Sequence, residues 1–224
     1  MTLATRTNGF ARSMIRRAAL AVAAIATLSA ASVQLGAQEA RLLAIQDDAT
    51  RSMVRDFIEA ARARGTPTEP LVSRALEGVA FRATAKRIEQ AMVALEERIG
   101  RSRELLAPRA TVDELAAAAD ALANGVPASA IRDLRKIAPY RQITVEIGVL
   151  TELVAKGVAP KKAAVMVRDL MARGATGTQL TELNAAVQQD VAFGVTPVAA
   201  LELRGRGVMS LLSPSASVNA AIRP

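Results

Sequence analysis

Lys161 and Lys162 stand four and five residues after Gly157 in the stretch LVAKGVAPKK, at the start of a segment with helical periodicity. A glycine turn with lysines at a helix N-terminus is one way to hold phosphate, because converging backbone N–H groups and the positive helix end both favour an anion. Here Pro160 removes one of those donors, and neither a second glycine nor a hydroxyl follows at the spacing a phosphate loop needs. A simpler reading accounts for every residue. Glycine takes the left-handed position after a helix, the next apolar residue makes the cap contact, and proline opens the following helix. The same mark recurs around Gly125, Gly174 and Gly194.

Carboxylates offer the next candidate chemistry. Asp47-Asp48, Glu96-Glu97 and Asp113-Glu114 are adjacent pairs, but none has the alternating oxygen spacing and central glycine of a calcium loop. Neighbours on a helix point about 100° apart, so such pairs do not converge on one proton. They read as solvated faces and helix starts. Arginine and lysine form two groupings: Arg98, Arg101, Arg103 and Arg109 near one helix end, and Lys156, Lys161, Lys162 and Arg168 across two helices. These eight are the candidate contacts to an anionic lipid or cell-envelope polymer. Cations at helix C-termini also complement the dipole, which accounts for Arg98 and Arg101 without a ligand. Tyr140, the only tyrosine, follows Pro139 in a turn. Such a ring is expected to be buried with its hydroxyl bonded, or else exposed as a contact residue.

The missing residue types narrow the chemistry further. The 224 residues include no cysteine and no histidine. Disulfides, thiolate metal sites, cysteine nucleophiles and a Ser-His-Asp triad are excluded, along with the commonest general base and transition-metal ligand. No Ser-x-x-Lys pair occurs either. No catalytic residue, cofactor or metal site is expected.

The N-terminal stretch is a targeting signal by composition. Arg12, Arg16 and Arg17 precede the apolar run Ala18 to Leu28, and a small-residue exit puts cleavage after Ala37, with Ala31 as runner-up. The uncharged stretch from Ala18 to Ala37 is also just long enough to act as an uncleaved anchor. The expectation is export to the periplasm or beyond. Residues 1–37 hold four arginines and no acid, so of 29 bases and 21 acids the remainder keeps 25 and 21, a surplus of 4 rather than 8. With few aromatic residues to stack on bases, nucleic acid is not the expected partner.

The elements that must position any site are helices. Alanine and leucine are strong helix formers, and strand-length β-branched runs are few. Met53, Val54, Phe57, Ile58 and Ala61 mark a first helix closing at Gly65. Thr66, Pro67 and Glu69 fit a capping box for a second that ends near Gly78. Ile88, Met92, Leu95 and Ile99 form the stripe of a longer third helix that stops before Pro108. Thr111 to Glu114, TVDE, caps a fourth; a short fifth runs from Ser129 to Ile137. Arg141 to Lys156 carries two apolar stripes and is expected at the centre. Pro160 to Arg173, Thr178 to Phe193 and a helix from Pro197, weakened by Gly205 and Gly207, complete the series.

The expected fold is all-α: a bundle or short array of about eight to nine short helices joined by Gly/Pro turns. A signal peptide (1–37), a polar lead-in (38–48), a helical domain (49–212) with a possible sub-boundary near 108–111, and a disordered tail (213–224) divide the chain. The segment RGTPTEPLVSRALEGVAFRATAKRIEQAMVAL, Arg64 to Leu95, resembles a pattern in uncharacterised exported bacterial helical proteins, in which a Gly-x-Pro turn precedes a short helix ending in Ala-Leu-Glu-Gly. That resemblance implies an exported helical fold and no activity. The function expected is a non-catalytic interaction or structural module of the cell envelope with a protein partner; the alternative is a peripheral binder of anionic membrane or polymer surfaces.

Overall fold

Where the sequence supplies caps, the helices begin. The computed structural model describes residues 40–212, so the expected signal peptide and the expected tail lie outside the described residues. Nine helices have both ends within them: α1 (Asp48–Ala63), α2 (Glu69–Ala80), α3 (Ala85–Leu106), α4 (Val112–Ala123), α5 (Ala128–Ile137), α6 (Thr144–Ala155), α7 (Pro160–Ala172), α8 (Gly177–Ala192) and α9 (Pro197–Leu211). The fold of the described residues is all-helical.

Thr111 and Glu114 make the capping box expected for α4, and Thr176 with Gln179 makes another for α8. At α2 the expectation fails. Thr68, not Thr66, is the N-cap, and Pro70 lies in the first turn. Thr66 instead belongs to the end of α1, where its N–H donates to Ala61 O at 2.9 Å. Glycines 205 and 207 do not end α9. Gly205 is buried, and a Cβ there would stand 2.5 Å from Sδ of Met166 on α7, so its place is set by close helix approach.

One turn geometry recurs. Gly65, Gly125, Gly157, Gly174 and Gly194 all have positive φ, and each is followed by a residue whose N–H reaches back to the carbonyl five positions earlier, as Val158 does to Leu153 O at 3.0 Å. This is the two-bond C-terminal cap in which a left-handed residue reverses the chain. Arg82 is a sixth instance, with φ of 53° and Ala83 N–H donating to Gly78 O. After Arg82, Gly125, Gly157, Gly174 and Gly194 the next helix begins three residues later.

Each helix packs chiefly on helices one or two places away along the chain. Alternate helices run side by side: α1, α3, α5, α7 and α9 in one row, and α4, α6 and α8 in another. Within a row the helices are parallel. Val145 at the start of α6 lies beside Gly177 at the start of α8, and Lys162 in the first turn of α7 reaches Glu202 in the second turn of α9. The turns therefore collect at two edges. One carries the α2–α3, α4–α5, α6–α7 and α8–α9 turns, including Phe81. The other carries the α1–α2, α3–α4, α5–α6 and α7–α8 turns, including Tyr140.

The core between the rows is aliphatic, with Leu71, Met92, Leu106, Ile131, Ile147, Leu150 and Leu153 fully enclosed. Leu42 and Ile45, from the lead-in, are buried as well. As its two stripes imply, α6 touches α4, α5, α7 and α8, although it begins at Thr144 rather than Arg141.

Candidate functional site

Two connections on the Tyr140 edge abandon the recurring turn. Residues 107–111 join α3 to α4 through a cis Ala107–Pro108 bond, and residues 138–143 join α5 to α6. A buried ion pair fixes both. Glu114, the third residue of α4, accepts from the Thr111 N–H at 2.9 Å through Oε2, because the capping box turns it back over the helix start. Its other oxygen accepts from the Ile143 N–H at 2.9 Å and from Nη2 of Arg135 at 2.6 Å. Nη1 of Arg135 then donates to Ala138 O at 3.1 Å and to Arg141 O at 3.0 Å. Arg141 turns to the buried carboxylate of Glu146.

Burial pushes the Glu114 carboxyl up, but the Thr111 and Ile143 N–H groups and the Arg135 guanidinium together outweigh it and hold the carboxyl below its ordinary value. Both of its oxygens are thus engaged as acceptors in holding the loop, and it is no free acid or base for a substrate. What the network achieves is a fixed loop with an exposed tip. Tyr140 is 87% exposed, so the expectation of a buried ring is corrected. Its backbone is tied down on both sides by Arg135, whereas its ring meets solvent.

Clefts open on either side of this tip. One, of about 420 Å³, lies between Tyr140 and the Pro108–Thr111 connection. The other, of about 550 Å³, lies between Ile137 and Tyr140 on one wall and Met171, Gly174 and Thr176 on the other. A rigid aromatic between two clefts suits partner binding, since little order is lost on association and tyrosine is enriched among energetically dominant contacts. Sequence reasoning missed the network because nothing in the spacing couples residue 114 to residue 135.

The eight candidate cations do not form one surface. Arg98, Arg101 and Arg103 lie along the end of α3, which runs to the Tyr140 edge, with Arg109 in the connection beyond. Lys156, Lys161 and Lys162 stand at the α6–α7 turn on the opposite edge, and Arg168 sits further along α7. Three already have partners: Arg103 donates to Gly65 O, Lys162 pairs with Glu202 at 2.8 Å, and Arg168 pairs with Asp169 at 2.8 Å. Arg98 is half-buried, while Arg101, Arg109, Lys156 and Lys161 are exposed.

The acid pairs divide in the same way. Glu96 takes a two-pronged contact from Arg64, at 2.9 and 2.8 Å, and this hydrogen bonding holds its carboxyl below the ordinary value. Glu114 stands at a helix start, as expected, with its carboxylate buried. Among the described residues no three acids converge as a metal would need, and no helix is long and apolar enough to cross a membrane. No protein-family model matches the chain, and comparison with curated proteins and with solved structures returns no match.

Proposed function

We propose that this protein is a non-catalytic interaction module of the cell envelope, exported through its N-terminal signal and arranged as a short array of helical hairpins. The Tyr140 edge is its contact surface for a protein partner. One observation carries the reading: a buried Glu114–Arg135 pair fixes a loop that holds the Tyr140 ring out in solvent. A loop held in one conformation before association loses less order on binding and so gains affinity.

A photo-reactive residue placed at position 140 tests the proposal in cells. It should cross-link one partner protein, and Tyr140→Ala should weaken that contact by about tenfold or more. Recovery of the chain as an uncross-linked monomer in the cytoplasm would overturn both the partner and the compartment.

A further inference from the structure

The packing of alternate helices is interrupted at one place. α4 packs directly on α6, and α6 on α8, but α2 makes no comparable contact with α4. A groove of about 350 Å³ lies between α2 and α4, with Leu95 of α3 at its floor. Pro70 stands on one wall and Val112, 46% exposed, on the other. Its charged lining residues are Glu69, Arg74 and Glu77 from α2 and Asp113 and Asp120 from α4, so four carboxylates face one guanidinium. Helix dipoles account for Glu69 and Asp113, which stand in first turns. They do not account for Glu77 and Asp120, which stand in last turns, where an anion is disfavoured.

Both helices begin at the Tyr140 edge, so these acids form two pairs across the groove, separated along it by two helical turns, about 11 Å. At the pair far from that edge one guanidinium serves both walls: Nη1 of Arg74 is 2.8 Å from Glu77 and Nη2 is 3.7 Å from Asp120. At the pair near the edge, no cation among the described residues does the same. Arg41, from the lead-in before α1, contacts Glu69 and donates to Ser73 Oγ at 3.2 Å, both on the α2 wall. Asp113, on the α4 wall, is in no ion pair. With Arg41 counted, the groove still holds more carboxylates than guanidiniums, on a chain with 29 bases and 21 acids.

We propose that the near end of this groove takes an arginine side chain from an extended segment of a protein partner. The guanidinium would lie between Asp113 and Glu69, as that of Arg74 lies between Asp120 and Glu77, and its aliphatic stem would cover Pro70 and Val112. A planar fork with several donors can serve two carboxylates at once, which the single ammonium of lysine does less well. The contact is separate from the Tyr140 ring.

Titration of the isotope-labelled full chain with the peptide acetyl-Leu-Arg-Leu-amide, followed by amide NMR shifts, tests this. Shifts should centre on residues 69–74 and 112–116, be weaker with lysine in the peptide, and vanish with its neutral isostere citrulline. Asp113→Asn should weaken binding about threefold. Glu104→Gln with Glu182→Gln removes more charge from exposed positions outside the groove and should change it less than about twofold. Arg41→Gln, which frees Glu69, should tighten it, a gain that damage to the fold cannot produce. Tyr140→Ala should leave it unchanged, so this contact and the Tyr140 contact stand or fall separately. Shifts centred elsewhere, equal binding of the citrulline peptide, or an unaltered affinity in Asp113→Asn would overturn the proposal. So would tighter binding once Arg6, Arg12, Arg16 and Arg17 are replaced by glutamine, which would assign the groove to this chain's own N-terminal segment. Shifts of the same amides on concentrating the protein without peptide would assign it to a second copy and overturn the proposal equally.

Discussion

Glu114 is the residue on which the Tyr140 edge depends. Its replacement by alanine leaves the buried Arg135 guanidinium without a counter-charge, and a broken buried pair costs about 3–5 kcal/mol. Urea unfolding should show that loss, and the Ile143 amide should lose its protection from hydrogen exchange because its acceptor is gone. Tyr140→Ala should leave stability within about 0.5 kcal/mol, because an exposed ring contributes little to the fold. Acid should weaken the fold in a defined sense. The carboxyls of Glu114, Glu96 and Asp190 titrate below their ordinary values of 4.5, 4.5 and 3.8, so the unfolded chain takes up protons first. Their contribution is complete above those ordinary values and is lost as pH falls through the lowered ones. The melting temperature should therefore be level near neutrality and decline on acidification, with a shallower decline in Glu114→Gln. At residue level only the Thr111–Glu114 capping box was legible, because the other partners of Glu114 come from positions 135 and 143, which only the packing of α4, α5 and α6 brings together.

Helices and turns were far more legible than sites. Periodicity and caps located the helices because alanine-rich segments with a threonine or proline at the start and glycine at the end encode both boundaries locally. The Arg82 turn was missed because its left-handed position lacks glycine, although its distance of 17 residues from Gly65 equals that from Gly157 to Gly174. Two glycines within helices should respond oppositely to alanine. Gly100 on α3 has open space around it, so Gly100→Ala should stabilise by about 0.5–1 kcal/mol through helix propensity. At Gly78 on α2 the new Cβ would stand 2.7 Å from Cγ1 of Ile88, near the root of a branched side chain. Overpacking there costs about 1–3 kcal/mol and outweighs the propensity gain. Paired thermal melts would separate the two cases, and stabilisation of both variants would contradict the packing of α2 on α3.

For the whole molecule the decisive property is that substantial contacts reach only one or two helices along the chain. Stability in such an arrangement approximates a sum over neighbouring interfaces instead of one indivisible core. Hydrogen exchange should accordingly be graded, with α3 and α6, which each pack on four other helices, protected longest and α1, which packs only sparsely on α2 and α3, opening first. Uniform protection across all helices would contradict a nearest-neighbour fold. Export and partner choice belong to this scale as well, and neither is written into helix packing.

The same neighbour-only connectivity bears on how the molecule would carry load. Tension applied between its first and last helices passes through the interfaces in series, so no distant contact shares it. The weakest interface alone sets the force at which the protein yields. A molecule built in this way peels from its feeblest joint while the remaining helices stay folded, and it behaves under tension as a chain of links more than as a single block.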